Sequence, residues 1–400
     1  MRVVVIGLGQ CGGRIADEFA RLDKRARSGR GMDVVTGAFA VNTDQADLTG
    51  LRTIKPDSQH RILIGGRKAG GHGVGKINEV GAAIAKADSY KVIDSVRTGE
   101  GFYEGSAFLV VAGAAGGTGS GALPIIIKSL KERYPTKAAY ALAVLPFEHE
   151  ENTEERAAYN VATCLRSTYL VADAVFLCDN ERFLKRDATL LNNMEKINQE
   201  IVAPFFDLLC AGEEVKRGHI GAKTVDTGDI MQTLEGWTTI GLGKSALPLW
   251  SWWPFRSVAN FRSKGRETQR GLQAVEQAMS DLSVACNPKD AGKALYMLSA
   301  PSKEMNVAVV RELGNIMKEL AEDAVIRSGD YPRPGRDVAV TVIFSKLANV
   351  PRVADLYRKA ASSSSTLRKR QKEAEARLKE LDDAAEGLPS LFEDPRAPTD

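Results

Sequence analysis

Several features that are common in other protein classes are scarce in this 400-residue chain. It has only five cysteines, none in CxxC spacing, and only four histidines, which argues against a disulfide framework or a zinc site. No apolar run approaches the roughly 18 residues that a membrane span requires. The apolar start of the chain reaches Gly7 too soon for a signal peptide. These absences predict a reduced, cytoplasmic protein.

Charge of one sign is not in excess either. Lys and Arg number 54 and Asp and Glu number 51, which gives a formal net charge of +3. A dedicated nucleic-acid-binding protein usually carries a strongly basic domain, so the balance predicts no nucleic-acid partner. A hydrophobic fraction of 44% suits a globular chain with a full-sized core. The length predicts about two or three domains.

Glycine is missing from one long stretch and crowded into another. Most of the 37 glycines precede residue 122, and none lies between residues 122 and 211. Because glycine permits backbone conformations and close approaches that other residues do not, the first third of the chain needs backbone without side chains. The glycine-free stretch is instead typical of helices and strands.

Short β-branched runs alternate with helical patterns over the first 185 residues. Strands are predicted at 2–6, 38–42, 61–64, 107–112, 139–145 and 174–178. Helices are predicted at 14–22, 77–87, 122–133 and 154–172. The strands are apolar almost throughout, which is typical of a sheet covered on both faces. Their alternation with helices predicts an α/β, Rossmann-like domain with a parallel sheet.

A long amphipathic pattern and then a mixture of elements follow that domain. Strands are predicted at 237–242, 293–299, 308–310 and 338–344, and helices at 267–282 and 315–324. We therefore expect four parts: an N-terminal domain over 1–188, a central helix over 189–211, a smaller α+β C-terminal domain over 212–345, and a charged helical and disordered tail over 346–400.

Three glycine-rich stretches follow strands in the first domain. Residues 7–13 match GxGxxG, in which a tight turn and a helix N-terminus approach a phosphate. Residues 112–121 contain GGTGSG, whose successive backbone N–H groups and hydroxyls suit an anion. That run lacks the Lys of a P-loop. Residues 65–75 fit either a mobile loop that orders on a γ-phosphate or a disordered hairpin.

Together these loops resemble the tubulin/FtsZ superfamily of GTPases over roughly residues 1–345. Among its branches the pieces look most like archaeal CetZ, because Gln10 stands beside FtsZ-like glycines and residues 71–75 are similar to the CetZ third loop. The resemblance implies a cytoskeletal protein that binds GTP or GDP with Mg²⁺ in domain 1–188. It also implies head-to-tail self-assembly into filaments, GTP hydrolysis at the subunit interface, and a role in cell shape or division.

The resemblance further implies which residues bind the nucleotide, and it assigns no side chain as a metal ligand. Phosphate contacts are implied at Gly9, Gln10, Cys11, Gly12, Asn42, Gly71, Gly73, Gly113, Ala114, Ala115, Gly116, Gly117, Thr118, Gly119 and Ser120. Guanine and ribose contacts are implied at Glu150, Asn180, Met194 and Asn198, with Arg156 near the phosphates. Asn supplies both a donor and an acceptor to the guanine edge. Met194 replaces a stacking aromatic with a softer apolar contact.

Four of these assignments have a simpler structural alternative. Asn180 could cap a helix after a strand, and Asn198 could be a surface residue of an amphipathic helix. Glu150 and Arg156 could belong to a solvated charged loop.

A separate set of residues is implied just beyond the central helix. In the family this stretch enters the nucleotide site of the next subunit, where acidic residues polarise the attacking water. Asp226 and Asp229 match those positions, and Thr224 stands where FtsZ has Asn. Phosphoryl transfer requires mainly water positioning and charge stabilisation. The alternative, that Asp229 caps the following helix, can hold at the same time.

Two other functions and two contact segments complete the expectations. Residues 7–13 alone also fit a dinucleotide-dependent oxidoreductase, although GGTGSG and the Asp226–Asp229 loop then have no role. The second alternative function is a GTP-binding polymer with negligible hydrolysis. Residues 250–255, from Trp250 to Phe255, could be core, a subunit contact or a membrane contact. Residues 367–400 could bind accessory proteins or be a solvated tail.

Overall fold

The computed structural model describes residues 1–154, 156–186, 193–214, 217–247, 261–305 and 307–362. Its strands are β1 (Val3–Leu8), β2 (Val35–Asn42), β3 (Arg61–Leu63), β4 (Ala107–Gly113), β5 (Ala138–Leu145), β6 (Ala174–Asp179), β7 (Gly236–Ala246), β8 (Ala291–Ala300), β9 (Val325–Pro332) and β10 (Asp337–Leu347). Its helices are α1 (Gly9–Arg30), α2 (Gln45–Thr49), α3 (Gly66–Ala69), α4 (Asn78–Thr98), α5 (Thr118–Arg133), α6 (Glu148–Thr153), α7 (Ala157–Tyr169), α8 (Asn180–Arg186), α9 (Met194–Ala211), α10 (Thr227–Thr233), α11 (Phe261–Ser280), α12 (Val307–Leu320) and α13 (residues 351–362).

The first half of the chain forms a parallel sheet in the order β3-β2-β1-β4-β5-β6. In its centre Ile6 of β1 lies opposite Phe39 of β2 and Val110 of β4. Each connection between these strands includes a helix, so all their carboxyl ends meet at one edge of the sheet. In an open parallel sheet that edge is where ligands bind.

Helices cover both faces of this sheet. On one face Phe19 of α1 and Phe176 of β6 pack edge-on against Phe205 of α9, with ring centroids 5.3 and 5.0 Å away. On the other face Ile84 of α4 and Ile126 of α5 are buried in a second apolar cluster. The α/β fold class expected from the apolar strands is confirmed.

Strand β7 joins the parallel sheet to the second half of the chain. Its first residues pair parallel with β6, Gly236 opposite Ala174, and its remainder pairs antiparallel with β10. Strands β10, β8 and β9 continue the sheet, with α11 packed against β7 and α12 against α11. The expected mixture of strands and helices is thus present.

One predicted strand is wrong and one strand was missed. Residues 308–310 are β-branched and apolar, yet they lie in α12, because Val309, Leu313 and Met317 recur every four residues and are buried together. Strand β9 was missed because its middle contains the polar and small residues 328–330 rather than an apolar run.

The end of the described chain is part of the folded body. β10 continues to Leu347, past the expected start of the tail at 346, and Val353 and Leu356 of α13 are buried in the apolar cluster that also contains Ile84. Residues 250–255 and 367–400 lie outside the described residues, as does the expected start of the central helix at 189–192. None of the described helices combines the length and apolar character needed to cross a bilayer.

Candidate functional site

A cavity of about 390 Å³ opens at the carboxyl edge of the parallel strands. Its walls are the turns after β1, β2, β3, β4, β5 and β6 together with the start of α9. The structure brings into this wall most of the residues assigned from the sequence, namely Gly9, Gln10, Cys11, Asn42, Gly73, Gly113, Ala115, Gly116, Gly117, Thr118, Gly119, Glu150, Arg156, Asn180, Met194 and Asn198.

The other assigned residues shape the loops without lining the cavity, and they are Gly12, Gly71, Ala114 and Ser120. A Cβ atom on Gly12 would lie 2.2 Å from the carbonyl oxygen of Val111, so this glycine lets α1 pack directly on β4. The Ser120 hydroxyl donates to the carbonyl oxygen of Gly116 within its own loop. Gly71 has a φ of +82°, a conformation that favours glycine.

The N-termini of α1 and α5 meet in the wall of the cavity. Gly9, with a φ of +69°, comes so close to α5 that a Cβ atom on it would lie 3.0 Å from the backbone nitrogen of Gly119. Neither helix has an acidic residue in its first turn or a side-chain N-cap among the described residues. Their first-turn N–H groups and helix dipoles are therefore available to a bound anion.

Polar side chains join the loop after β2 to the N-termini of α1 and α5. Asp47 accepts hydrogen bonds from Gln10 Nε2 at 2.6 Å and from Asn42 Nδ2 at 2.9 Å. The hydroxyls of Thr43 and Thr118 are 2.7 Å apart in a buried contact. Gln10 and Asn42, both assigned from the sequence, are thus held in place by a carboxylate that the sequence analysis did not single out.

Asn160 is a second residue that sequence reasoning missed. It is fully buried in α7, and its Nδ2 donates to the carbonyl oxygens of Lys76 and Ala115, each at 2.9 Å. Its Oδ1 has no hydrogen-bond partner among the described residues. One amide therefore joins the loop before α4 to the glycine loop before α5. The other cavity residues missed are Leu8, Arg14, Asp44, Asp47, Lys76, Val144, Glu154 and Ala157.

Two asparagines lie at the end of the cavity formed by α8 and α9. Asn180 is 6% exposed and Asn198 is 8% exposed, so both side chains are largely withdrawn from solvent. The Oδ1 of Asn180 is buried and has no hydrogen-bond partner within the described ranges. An unpaired buried acceptor is costly, which indicates that a ligand donor completes this site. Met194, one turn before Asn198, is 37% exposed.

Charged groups occupy the remaining wall. Glu150 accepts a hydrogen bond from the backbone N–H of Phe147 at 3.1 Å, and Arg156 donates to Glu79 at 2.7 Å. Burial, and to a smaller degree the carboxylate of Glu150, raises the pKa of the Cys11 thiol to about 12. Cys11 is therefore a neutral thiol at neutral pH and adds no negative charge beside a bound phosphate.

The acidic loop lies at the opposite end of the central helix. Helix α9 has 18 residues, which at 1.5 Å per residue span about 27 Å. It begins at the cavity and ends beside the amino end of β1, where Arg2 donates to Glu213 at 3.1 Å. Asp226 and Asp229 follow, and neither lines the cavity. The structure therefore separates the two sets of assigned residues within one subunit.

Capping of α10 differs from the sequence-based alternative. Asp226, not Asp229, is the N-cap residue, and its carboxylate accepts from the backbone N–H of Asp229 at 2.7 Å. Asp229 stands at the third helical position and also pairs with Arg327 of β9 at 3.1 Å. Asp226 remains exposed, and Asp229 is partly exposed.

Strand β9 holds this loop against the body of the protein. The Asp330 carboxylate accepts from the backbone N–H groups of Ala222 and Lys223, both at 2.7 Å. The Tyr331 hydroxyl lies 3.0 Å from both the backbone nitrogen and the carbonyl oxygen of Val225. The segment before the two aspartates is therefore fixed, and their carboxylates project from a defined surface.

The described fold combines a parallel sheet with two helices that begin in glycine-rich turns at its carboxyl edge. A long helix then leads from this edge to an exposed loop with two aspartates. This architecture is that of tubulin/FtsZ-type proteins. Residues 2–186 match the model of the Tubulin/FtsZ family GTPase domain, and residues 187–362 match the C-terminal domain of tubulin-like CetZ. The chain belongs to the CetZ family of tubulin-like proteins and is a tubulin-like GTPase.

Individual relatives agree over nearly the whole length. The chain is 31% identical to tubulin-like protein CetZ1 of Haloferax volcanii over 390 residues, covering 92% of this chain and 93% of the relative. The structure of GDP-bound monomeric CetZ1 from Haloferax volcanii is 30% identical to this chain, with a TM-score of 0.76. The match covers 91% of this chain and 100% of the CetZ1 chain.

A second solved structure is the GTPγS-bound protofilament of CetZ2 from Haloferax volcanii. It has 27% identity and a TM-score of 0.76, and it covers 92% of this chain and 100% of that chain. The predicted family, fold class and assignment as a GTPase are therefore confirmed, and the oxidoreductase alternative is not supported.

Proposed function

We propose that this protein binds GTP and GDP in the cavity at the carboxyl edge of the sheet and assembles head to tail into filaments. In such a filament the Asp226–Asp229 loop of one subunit completes the nucleotide site of the next and hydrolyses GTP. The observation that carries the proposal is the position of the two sites at opposite ends of α9, about 27 Å apart along the helix. One subunit cannot bring them together, whereas a translated copy can.

In this proposal the phosphates bind at the N-termini of α1 and α5. The backbone N–H groups of both first turns supply the donors, and the absence of acidic residues there supports an anionic ligand. Gln10, Asn42 and Thr118 add side-chain contacts, held by the Asp47 and Thr43 interactions. Gly71 and Gly73 belong to the third loop, which would face the γ-phosphate, and Gly73 lines the cavity.

Guanine and ribose would occupy the other end of the cavity. Asn180 and Asn198 would contact guanine, whose edge offers N–H donors and a carbonyl acceptor that match an amide. The buried, unpaired Oδ1 of Asn180 supports this assignment. Met194 would contact the base face, Glu150 the ribose, and Arg156 the phosphate side.

Mg²⁺ fits the donors present only as an ion shared with the nucleotide. Within the described residues no three His, Cys, Asp or Glu side chains are grouped to hold a metal. Mg²⁺ commonly binds through one or two carboxylates together with substrate phosphates and water. Asp44 is a carboxylate placed for this role, because it lines the cavity and only its Oδ1 accepts the described hydrogen bonds that cap α2. The ion would neutralise charge on the β- and γ-phosphates.

Hydrolysis would depend on the two aspartates of the neighbouring subunit. A carboxylate beside three phosphates is repelled unless a cation and water lie between them. Asp226 and Asp229 would therefore act by orienting and polarising the attacking water rather than by touching phosphate. The hydrogen bonds of Asp330 and Tyr331 to the backbone of residues 222–225 fix the direction of both carboxylates before a partner subunit binds.

The wider assignments extend the same proposal. Family matches that divide between residues 186 and 187 support separating domain 1–188 from the central helix 189–211 and the domain 212–345. A cytoplasmic filament acting in cell shape or division fits this family. Contact of residues 367–400 with accessory proteins, and of residues 250–255 with a membrane, stay predictions.

The test is GTP turnover per subunit at rising protein concentration, measured together with light scattering. Turnover per subunit should be low in dilute solution and rise as filaments form. A flat turnover would contradict a site completed by a neighbour. Filaments that form with GTP and release no phosphate would instead indicate a GTP-binding polymer with negligible hydrolysis.

A further inference from the structure

Helix α13 places two cations around one buried carboxylate in the turn after β5, which includes the short helix α6. The Glu151 side chain is 1% exposed and is ion-paired with Arg352, whose Nη1 lies 3.3 Å from Glu151 Oε2. Lys359, two turns further along α13, lies 2.8 Å from the same Oε2. Removing one partner of such a buried pair is strongly unfavourable, so the turn is held to α13.

The Arg352 guanidinium also contacts the carboxyl ends of two neighbouring strands. Its Nη2 donates to the carbonyl oxygen of Pro146, immediately after β5, at 3.2 Å. Its Nε lies 3.4 Å from Oδ2 of Asp179, the last residue of β6. The side chain is 12% exposed. A single planar group therefore ties together α13 and the turns after β5 and β6.

Those two turns carry residues proposed to bind the nucleotide. Glu150 directly precedes Glu151, and Asn180 directly follows Asp179. Both line the cavity, whereas Arg352 does not. A shift of either turn would move a ligand-facing side chain without changing any residue of the cavity wall.

We propose that Arg352 is a positioning residue that sets the distance between Glu150 and Asn180 and so tunes recognition of ribose and guanine from the far side of the cavity wall. The inference rests on the proposed nucleotide site. It makes α13, the final described helix, part of the support of that site.

The electrostatics of Asp179 agree with this role. Burial raises the pKa of the Asp179 carboxyl, and Arg352 opposes that rise. Without Arg352 the pKa of the Asp179 carboxyl would rise further, and the carboxyl would lose its partner on α13. The main chain that leads into Asn180 would then have one contact fewer.

The experiment measures dissociation constants for GTP, 2′-deoxy-GTP and ITP with the full-length protein. The ratio of the dissociation constant of 2′-deoxy-GTP to that of GTP reports the ribose contact. The ratio of the dissociation constant of ITP to that of GTP reports contact with the 2-amino group of guanine. Wild type, Arg352→Ala, Arg352→Lys and Arg358→Ala are compared. Arg358 lies on the same helix and is 77% exposed, so it is the matched control.

Arg352→Ala should weaken GTP binding about tenfold and bring both ratios toward one, while Arg358→Ala keeps the wild-type ratios. Arg352→Lys keeps the charge but not the planar fork, and it should lie between them; it is also the variant to use if Arg352→Ala does not fold. Folded Arg352 variants with wild-type ratios would overturn the inference alone. A wild-type protein that binds all three nucleotides equally would overturn the proposed ribose and guanine contacts and the inference with them.

Discussion

The carboxylate of Asp226 accepts a hydrogen bond from the backbone N–H of Asp229 at 2.7 Å, so the two residues proposed to act on GTP hold each other in place. Asp229 returns the contact weakly, at 3.4 Å from the Asp226 backbone nitrogen. One pair of side chains thus caps α10 and presents two carboxylates at the surface. Capping and catalysis can be separated, because Asn caps a helix as well as Asp does.

The first prediction uses that separation. Asp226→Asn and Asp229→Asn should leave GTP binding unchanged and reduce phosphate release at least tenfold, because water polarisation needs the charge. Stability should change by less than about 1 kcal/mol, since the cap is kept and the partly exposed pair of Asp229 with Arg327 contributes little. Phosphate release and thermal unfolding measure the two effects. Wild-type hydrolysis in both variants would refute the role of this loop.

The second prediction concerns the base. Asn180→Ala and Asn198→Ala should each lose about 1–3 kcal/mol of GTP binding, because a buried amide contact is removed. ATP binding, which lacks these contacts, should not change. Gln199→Ala, the next residue of α9, is the control and should bind GTP normally. Equal losses for GTP and ATP would show that the asparagines support the fold rather than read guanine.

The third prediction tests the packing role of Gly12. Gly12→Ala should destabilise the protein by about 1–3 kcal/mol, because the added methyl would lie 2.2 Å from the Val111 carbonyl oxygen and force α1 off β4. Gly29→Ala, on the same helix, meets nothing within 4 Å and should be neutral or stabilise by up to about 1 kcal/mol. Chemical denaturation compares them, and equal stabilities would contradict the packing role.

The fourth prediction concerns Asn160. Asn160→Ala removes the two hydrogen bonds that join the third loop at Lys76 to the glycine loop at Ala115. We expect GTP affinity to fall several-fold more than GDP affinity, because the third loop is the one assigned to the γ-phosphate. Asn160→Asp should have a larger effect, since a carboxylate oxygen would face two carbonyl oxygens. Equal changes for both nucleotides would assign Asn160 to stability alone.

Sequence patterns predicted the parts of the site that local chemistry dictates. Glycine turns after apolar strands located Gly9 and Gly117, and the helical period placed Asn198 on the central helix. Family resemblance then gave these positions their roles. All three follow from short stretches of sequence in which the residue types required by the backbone conformation are visible.

The missing parts depend on contacts between distant segments. Asn160 is one amide in an ordinary helical pattern, and its importance comes from carbonyl groups 84 and 45 residues away. Strand β9 was missed because Asp330, which binds the backbone of the segment before Asp226, interrupts its apolar pattern. Arg352 fell in a segment taken for a charged tail. No local pattern distinguishes such residues from solvated polar groups.

The most direct test of the central claim is a mixing experiment. Asp229→Asn keeps a nucleotide site but lacks the catalytic carboxylate, and Asn198→Ala keeps the carboxylate but lacks guanine recognition. In mixed filaments the intact loop of one variant meets the intact site of the other. At the same total protein concentration, GTP hydrolysis by an equal mixture should therefore clearly exceed the mean of the activities of the two variants measured alone. A mixture that only equals that mean would show that hydrolysis is completed within one subunit.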